Sequence, residues 1–401
     1  MLEASLNERE RRVDWPLLAS ALGLMVLGVV FIWSATANPD PVGGLPWYRQ
    51  TAFQQAVWCV LGLGVAAAVC LADYRIYARW SYLIYGATIL LLIAVLAVGS
   101  VRFGARRWID LGLFQFQPSE FAKVGFLVAM AHFLSRPPEE LAKPRLFWLA
   151  LAMTVVPFAL ILREPDLGSA LVLLPMALVM FFVAGVPVLF LRRLLTGAAA
   201  VLGLILVDVL WAPPQWQVIH LEDYQRRRLL VYFGLDYAGP NASEEERRRA
   251  RVQQLNDSYN VRQALIAVGS GGWTGKGWRQ GAQNVLGFLP KGVAHNDFIF
   301  SVIAEEGGYM GSATVLGLYT VILFAGLRTA SQARDRLGKL LAVGGVTLFF
   351  SHVVINIGMN VRLMPVTGIP LPLLSYGGSS VLCSMIAAGL LQNVYFYRKS
   401  Y

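Results

Sequence analysis

Charge is scarce in this sequence. Asp, Glu, Lys and Arg make up 14% of 401 residues, whereas a soluble domain carries roughly a quarter. The deficit is uneven, and that excludes an ordinary soluble helical protein: long apolar runs lack the polar face such helices need. Cysteine is also rare. Cys59, Cys70 and Cys383 are the three present, all within apolar runs and none at metal-ligand spacing. A zinc site or a disulfide framework is therefore not indicated. There is no P-loop. Gly269 to Gly277 comes nearest, but Ser270 holds the first glycine position and Gly277 replaces the Ser or Thr that would bind magnesium, so no nucleotide is expected. No fixed-period repeat and no inverted repeat of the transporter kind is visible.

What is present is apolar length. Apolar residues reach 56%. Spans are expected at about 16–34, 53–72, 80–100, 118–134, 146–163, 167–185, 188–211, 298–325, 338–358 and 378–397. Several reach the ~20 residues that a helix needs to cross ~30 Å of hydrocarbon. Hydrocarbon offers the backbone no hydrogen-bond partner, so these runs must be helices. The expected fold is an all-α polytopic membrane protein with about ten transmembrane helices in a single membrane domain, residues 1–401.

The net charge of +10 could suggest a nucleic-acid partner, but its placement argues against one. Arg9, Arg11 and Arg12, then Arg75 and Arg79, then Arg136, Lys143 and Arg145, then Arg192 and Arg193, then Arg328, Arg334, Arg336 and Lys339, and finally Arg398 and Lys399 all fall on one side of a ten-span layout. The positive-inside rule makes that side cytoplasmic and puts both termini there. Arg11 and Arg12 before an apolar stretch, with Ala35-Thr36-Ala37 after it, have the outline of a signal peptide. The stretch is long and more spans follow, so an uncleaved anchor is expected.

One connection is long. Residues 212–296, between spans seven and eight, form an extracytoplasmic loop in this layout, and loops of that length are usually functional. Ser243 and Glu246 form a capping box before a charged helix to about Leu255, and a second helix is expected over 259–268, ending at Gly269. The Glu- and Arg-rich segment 238–257 reads as a solvated face, peripheral to any chemistry.

Five short blocks could carry chemistry. Glu120 and Lys123 are three apart near the start of span four, so they share a face and can pair. Charge inside a span is costly, which favours a site or site-shaping role over a snorkelling lysine. Asp166, in the tight Arg163–Gly168 connection, suits either a site or a helix cap. The Gly269–Gly277 loop with Lys276 could approach a phosphate or simply turn the chain. Asp297 stands where the long loop meets span eight, with water on one side and an apolar wall on the other. That suits a general base tuned by burial, and equally an N-cap. Pro370 to Ser380, including Ser375 and Gly377, opens the last span and either packs closely or leaves helix N–H groups for an anion.

Together these blocks resemble the SEDS family of polytopic cell-wall proteins, the group containing RodA and FtsW. The matching stretches are Gly104 to Ile109 with Gln117 to Lys123, Arg163 to Gly168, Ala267 to Gly277, His295 to Glu306, and Pro365 to Ser380, in family order over nearly the whole chain. Arg163-Glu164-Pro165-Asp166-Leu167-Gly168 and Asn356-Ile357-Gly358-Met359 look closer to RodA. Asn296 departs from the family's usual Thr, and 238–257 is an insertion.

The resemblance implies an inverting peptidoglycan glycosyltransferase of the bacterial cytoplasmic membrane. It would polymerise lipid II, an undecaprenyl-pyrophosphate disaccharide-pentapeptide, beside a class B penicillin-binding protein that cross-links the strands. It assigns Asp297 the catalytic role and Glu120–Lys123 the family's ion pair beside the cavity. Arg106, Arg107, Lys123 and Lys276 are then candidates to stabilise the pyrophosphate leaving group. A divalent cation, Mg or Mn, is another, though no motif specifies one. Asp297, Glu120, Lys123, Asp166, Ser375 and Gly377 are expected to line one cavity. The alternative in another class is a lipid II flippase, and a third is a non-catalytic scaffold.

Overall fold

The computed structural model describes residues 13–36, 46–102, 105–110, 112, 115–211, 223–237 and 243–398. Arg9, Arg11, Arg12, Ala37, Gly104, Lys399 and residues 212–222 and 238–242 lie outside the described residues. The long helices are α1 (Trp15–Thr36), α2 (Thr51–Leu71), α3 (Ser81–Val98), α4 (Pro118–Leu134), α5 (Pro144–Arg163), α6 (Leu167–Ala184), α7 (Val188–Trp211), α8 (Asp223–Phe233), α9 (Glu244–Ser270), α10 (Ile299–Gln332), α11 (Arg336–Asn360) and α12 (Gly378–Tyr397). Among the described residues, nine of them are long and apolar enough to cross a membrane. α4, expected as the fourth span, is not among the nine. Its 17 residues sit at the lower limit for crossing, and nearly every one is buried by neighbouring helices.

The centre of the bundle is α11, packed on α4, α6, α10 and α12. Its apolar window is 83% buried, against 6% for α7, which packs on α6 and turns most of its apolar surface outward. In hydrocarbon such a surface needs no protein partner. The start of α1 meets the end of α12, where Asp14 N–H donates to Gln392 Oε1 at 3.2 Å and Arg328 bridges Asp14 and the Tyr395 ring; the α8–α9 segment packs at the opposite end of α10, here called the loop side.

Two features depart from the expected layout. On the loop side, β1 (Ser100–Arg102), β2 (Ala105–Asp110) and β3 (Gln115–Phe116) form an antiparallel sheet in that order, pairing Ser100 with Trp108 and Ile109 with Phe116. The sheet pairs the backbone of a connection that would otherwise leave its polar groups open at the membrane surface.

The second departure is in α10. Its 34 residues would extend about 51 Å as one rod, far more than the bilayer requires. The rod is broken at Gly308, whose φ of 63° and ψ of −157° belong to a region open essentially to glycine. The span therefore begins with a half-helix, Ile299 to Gly307, on the loop side. The Gly271–Gly277 strip closes the break. Tyr309 N–H donates to Gly272 O (2.8 Å), Met310 N–H to Trp273 O (3.1 Å), and Lys276 and Gly277 N–H to Glu305 and Glu306 O (both 3.0 Å). A Cβ on Gly275 would lie 2.1 Å from Glu306 O. The glycine-rich strip is thus a packing element for a broken helix. Lys276 and Gly277 spend their N–H groups on α10, and Gly275 gives its own to Gly271 O within the strip.

In the loop, the two expected helices are one. The capping box at Ser243 and Glu246 is present, and α9 then runs without interruption to Ser270. It packs along α10 and against α8.

Candidate functional site

Asp297 sits two residues before α10 and faces a cavity of about 420 Å³. The walls come from α8 (Arg227, Arg228, Tyr232), α9 (Asn256, Asp257, Asn260), and the segment after α11 (Arg362 to Val366). The carboxylate is partly exposed because it opens into this cavity, yet protein surrounds it on the remaining sides. Desolvation raises its pKa to about 6; Arg228 and Arg107 pull it down, and Asp166 pushes it up. Because Phe298 holds the N-cap position of α10, the cap reading is not met by Asp297. No side-chain cap bond joins it to α10, whose first turn is capped by Phe298 without side-chain help.

The backbone of Asp297 is held from two directions. Asn356 and Asn360, one turn apart on α11, donate to its carbonyl at 3.0 and 3.1 Å. Ser301 Oγ–H in turn donates to Asn360 Oδ1 at 2.6 Å. From the α12 side, Ser375 Oγ–H donates to Asn296 O (2.6 Å) and accepts from Leu371 N–H (2.8 Å), and Tyr376 N–H donates to His295 O (3.0 Å). Ser375 is therefore a clamp on the Asp297 segment. Gly377 gives its N–H to Gln55 Oε1 at 3.3 Å, and a Cβ on Gly378 would sit 2.5 Å from Trp58. The start of α12 is packed, and its first donor is not offered to an anion.

The other expected residues are placed as follows. Asp166 caps α6 through Ser169 N–H (3.1 Å) and accepts from Gln117 Nε2 and Ser119 Oγ, both at 3.2 Å. It is buried behind Asp297 rather than in the cavity wall. Arg107 on β2 donates to the carbonyls of Glu164 (3.2 Å) and Pro165. Arg106 is exposed and does not line the cavity. Lys276 pairs with buried Glu305 at 2.6 Å.

Glu120 and Lys123 do pair, at 2.6 Å, with both side chains 2% exposed. They do not share the Asp297 cavity. They line a separate enclosed pocket of about 10 Å³ with His352, Pro372, Cys383 and Ser384. The expected single cavity is therefore corrected. Among the described residues, Glu120, Lys123, Asp166 and Ser375 are buried in the bundle, and neither they nor the partly exposed Gly377 line the Asp297 cavity. The peripheral reading of 238–257 also fails at its end, since Asn256 and Asp257 line the cavity.

The cavity's own cations are Arg227, Arg228 and Arg362, which sequence reasoning passed over. A signal existed: Arg226-Arg227-Arg228 precedes an apolar run within the long loop. A resident metal fits this site poorly. Among the described residues no group of three His, Cys, Asp or Glu could hold one, and the cavity already presents guanidinium groups to an anion.

The electrostatics predict a pH profile. A base must be ionised, so activity should fall as pH drops through about 6. Arg228 lowers this pKa, so Arg228→Gln should move the acidic limb to higher pH. The pH dependence of kcat/KM is the measurement, and a limb that stays in place would remove Arg228 from the base's surroundings.

Residues 15–400 match the family model described as cell cycle protein, FtsW/RodA/SpoVE. Peptidoglycan glycosyltransferase MrdB of Escherichia coli K12 is 34% identical over 96% of this chain and 94% of its own. Peptidoglycan glycosyltransferase RodA of Treponema pallidum is 33% identical over 95% and 97%. Among solved structures, a chain of a peptidoglycan synthase complex that coordinates polymerization and crosslinking superposes with a TM-score of 0.74 at 32% identity, covering 97% of this chain and 99% of that one. The Thermus thermophilus rod shape determining protein RodA gives 0.63 at 30% identity, covering 96% and 97%. The chain belongs to the FtsW/RodA/SpoVE family.

Proposed function

We propose that this protein is a peptidoglycan glycosyltransferase that polymerises lipid II into glycan strands. The observation that carries the reading is a carboxylate with a raised pKa at the membrane end of an arginine-lined cavity. The acceptor's sugar hydroxyl must lose a proton as it attacks the donor's anomeric carbon, and Asp297 takes it. The bond to the lipid pyrophosphate breaks in the same displacement. Arg227, Arg228 and Arg362 meet the negative charge that develops there. The polyprenyl tail stays in hydrocarbon, which holds the pyrophosphate at the depth of Asp297.

The bacterial cytoplasmic membrane is the proposed location, with both termini cytoplasmic and the cavity outside. The lysine and arginine placement supports it. A class B penicillin-binding protein is the proposed partner, in keeping with the complex in which the structural neighbour sits.

Purified protein in detergent, given lipid II alone, should form glycan polymer. Detergent leaves no membrane sides to exchange between, so a flippase or a scaffold would yield none.

A further inference from the structure

The cavity at Asp297 is too small for the whole polar part of the proposed substrate. Its 420 Å³ suits a drug-sized ligand, and a disaccharide carrying five amino acids is larger than that. With the reacting sugar at Asp297, the peptide must lie outside. One element leads away from the cavity. The later part of α9 is anchored on the half-helix of α10, where Ala264 joins Phe298 and Val302 in one buried cluster. Asn256, Asp257, Asn260 and Val261 then line the cavity. The first part of α9, back to Glu244, runs on past Asp297, and it belongs to the 238–257 insertion.

Along that stretch one helical face carries a row of hydrogen-bonding side chains. Arg249, Gln253, Asn256 and Asn260 stand at i, i+4, i+7 and i+11, so they align. Arg248 and Val252 flank the row, and with Arg249, Gln253 and Asn256 they line a shallow hollow. Asn256 belongs to both the hollow and the Asp297 cavity, which makes the two continuous. Gln254, on the inner face, donates to Leu235 O at 3.1 Å. The side chains of Gln253, Asn256 and Asn260 make no such bond among the described residues, and Arg248 forms no salt bridge there. Arg249 reaches Glu245 only at 3.8 Å, with the two side chains 81% and 86% exposed. A surface pair of that kind is weak and leaves the guanidinium open to a better partner.

The row is as long as the peptide. From Arg249 to Asn260 is eleven steps along the helix, or ~17 Å at the helical rise. Five residues in extended form also reach about 17 Å. Side-chain amides donate to and accept from a peptide backbone. The peptide's terminal carboxylate then falls at Arg248 and Arg249, and guanidinium groups take carboxylates in a two-pronged fork. We propose that this face of α9 is the binding track for the pentapeptide of lipid II, with Gln253, Asn256 and Asn260 on its backbone and Arg248 and Arg249 on its terminal carboxylate. The proposal rests on the polymerase reading, which makes lipid II the substrate.

The test compares two forms of purified lipid II in detergent, one with the full pentapeptide and one cut back to the dipeptide. Arg248→Gln/Arg249→Gln places good helix formers on an exposed face, so the fold should hold. For the pentapeptide form it should raise KM, and Kd from titration calorimetry, about fivefold. For the dipeptide form it should change neither. Arg251→Gln removes the same charge from another face of α9 and should leave both forms alone. No rise with the pentapeptide form would overturn the proposal. So would an equal rise with both forms, or a rise of the same size in Arg251→Gln, since either marks unselective attraction by charge. A chain that makes no polymer yet shows the selective shift in Kd would keep the track and overturn the polymerase reading instead.

Discussion

Asp297→Asn is expected to lower glycan polymerisation by roughly 10²–10⁴-fold, the range a positioned general base contributes. The asparagine keeps the shape and size of the side chain. It cannot accept the proton. The protein should not unfold in consequence. In the native fold Asp297 has a raised pKa, chiefly through desolvation, so the ionised form is the one the fold disfavours. Replacing it with a neutral isostere removes that penalty. Its backbone carbonyl, held by Asn356 and Asn360, is untouched. The measurement is polymer length and amount from purified lipid II, alongside a thermal melt of the same preparation. Near-normal polymer from a well-folded mutant would take Asp297 out of the mechanism. Asn356→Ala and Asn360→Ala would then lose their interest as positioning residues, because they act through the segment that holds Asp297.

The spans were legible because hydropathy is a property of composition, and a run such as Ser81–Val98 leaves no other structure open in hydrocarbon. The break in α10 was not legible. Gly307-Gly308 in an apolar helix can be a tight packing site as easily as a kink. What decides between them is the Gly271–Gly277 strip, which reaches Gly308 only after the loop has folded back. The position of Asp297 at the mouth of a cavity was legible from its place where the long loop meets the eighth span. Its arginines were not, since a run of Arg on a loop helix reads as a solvated face until α8 is seen to roof the cavity. Asn356 and Asn360 were within reach of sequence reasoning. Two amides four apart in an otherwise apolar span share a face and need partners, and the partner turned out to be the carbonyl of Asp297.

Lys123→Met is expected to destabilise the protein by roughly 3–5 kcal/mol, the cost of leaving a buried charge unpaired. Glu120 and Lys123 are 2% exposed and 2.6 Å apart, so neither water nor lipid headgroups can replace the lost partner. A third group is involved. Lys123 Nζ lies 2.8 Å from His352 Nε2, and His352 Nδ1 lies 3.1 Å from Pro370 O. An ammonium only donates and a carbonyl only accepts, so the imidazole accepts at Nε2 and donates from Nδ1. The pair on α4 is thereby connected through α11 to the Pro370–Ser375 segment that clamps Asn296. Glu120→Gln should show a loss of similar size. The double variant Glu120→Gln/Lys123→Met should recover much of the stability, because it leaves no buried charge, but not all of it, because His352 Nε2 then lacks its donor. Polymerisation should return with the fold, since neither residue lines the Asp297 cavity. Thermal melts of the two single variants and the double variant give the coupling energy directly. Additive losses in the double variant would deny the pairing. A double variant that folds as well as the parent protein yet makes no polymer would show that Glu120 or Lys123 meets the substrate itself.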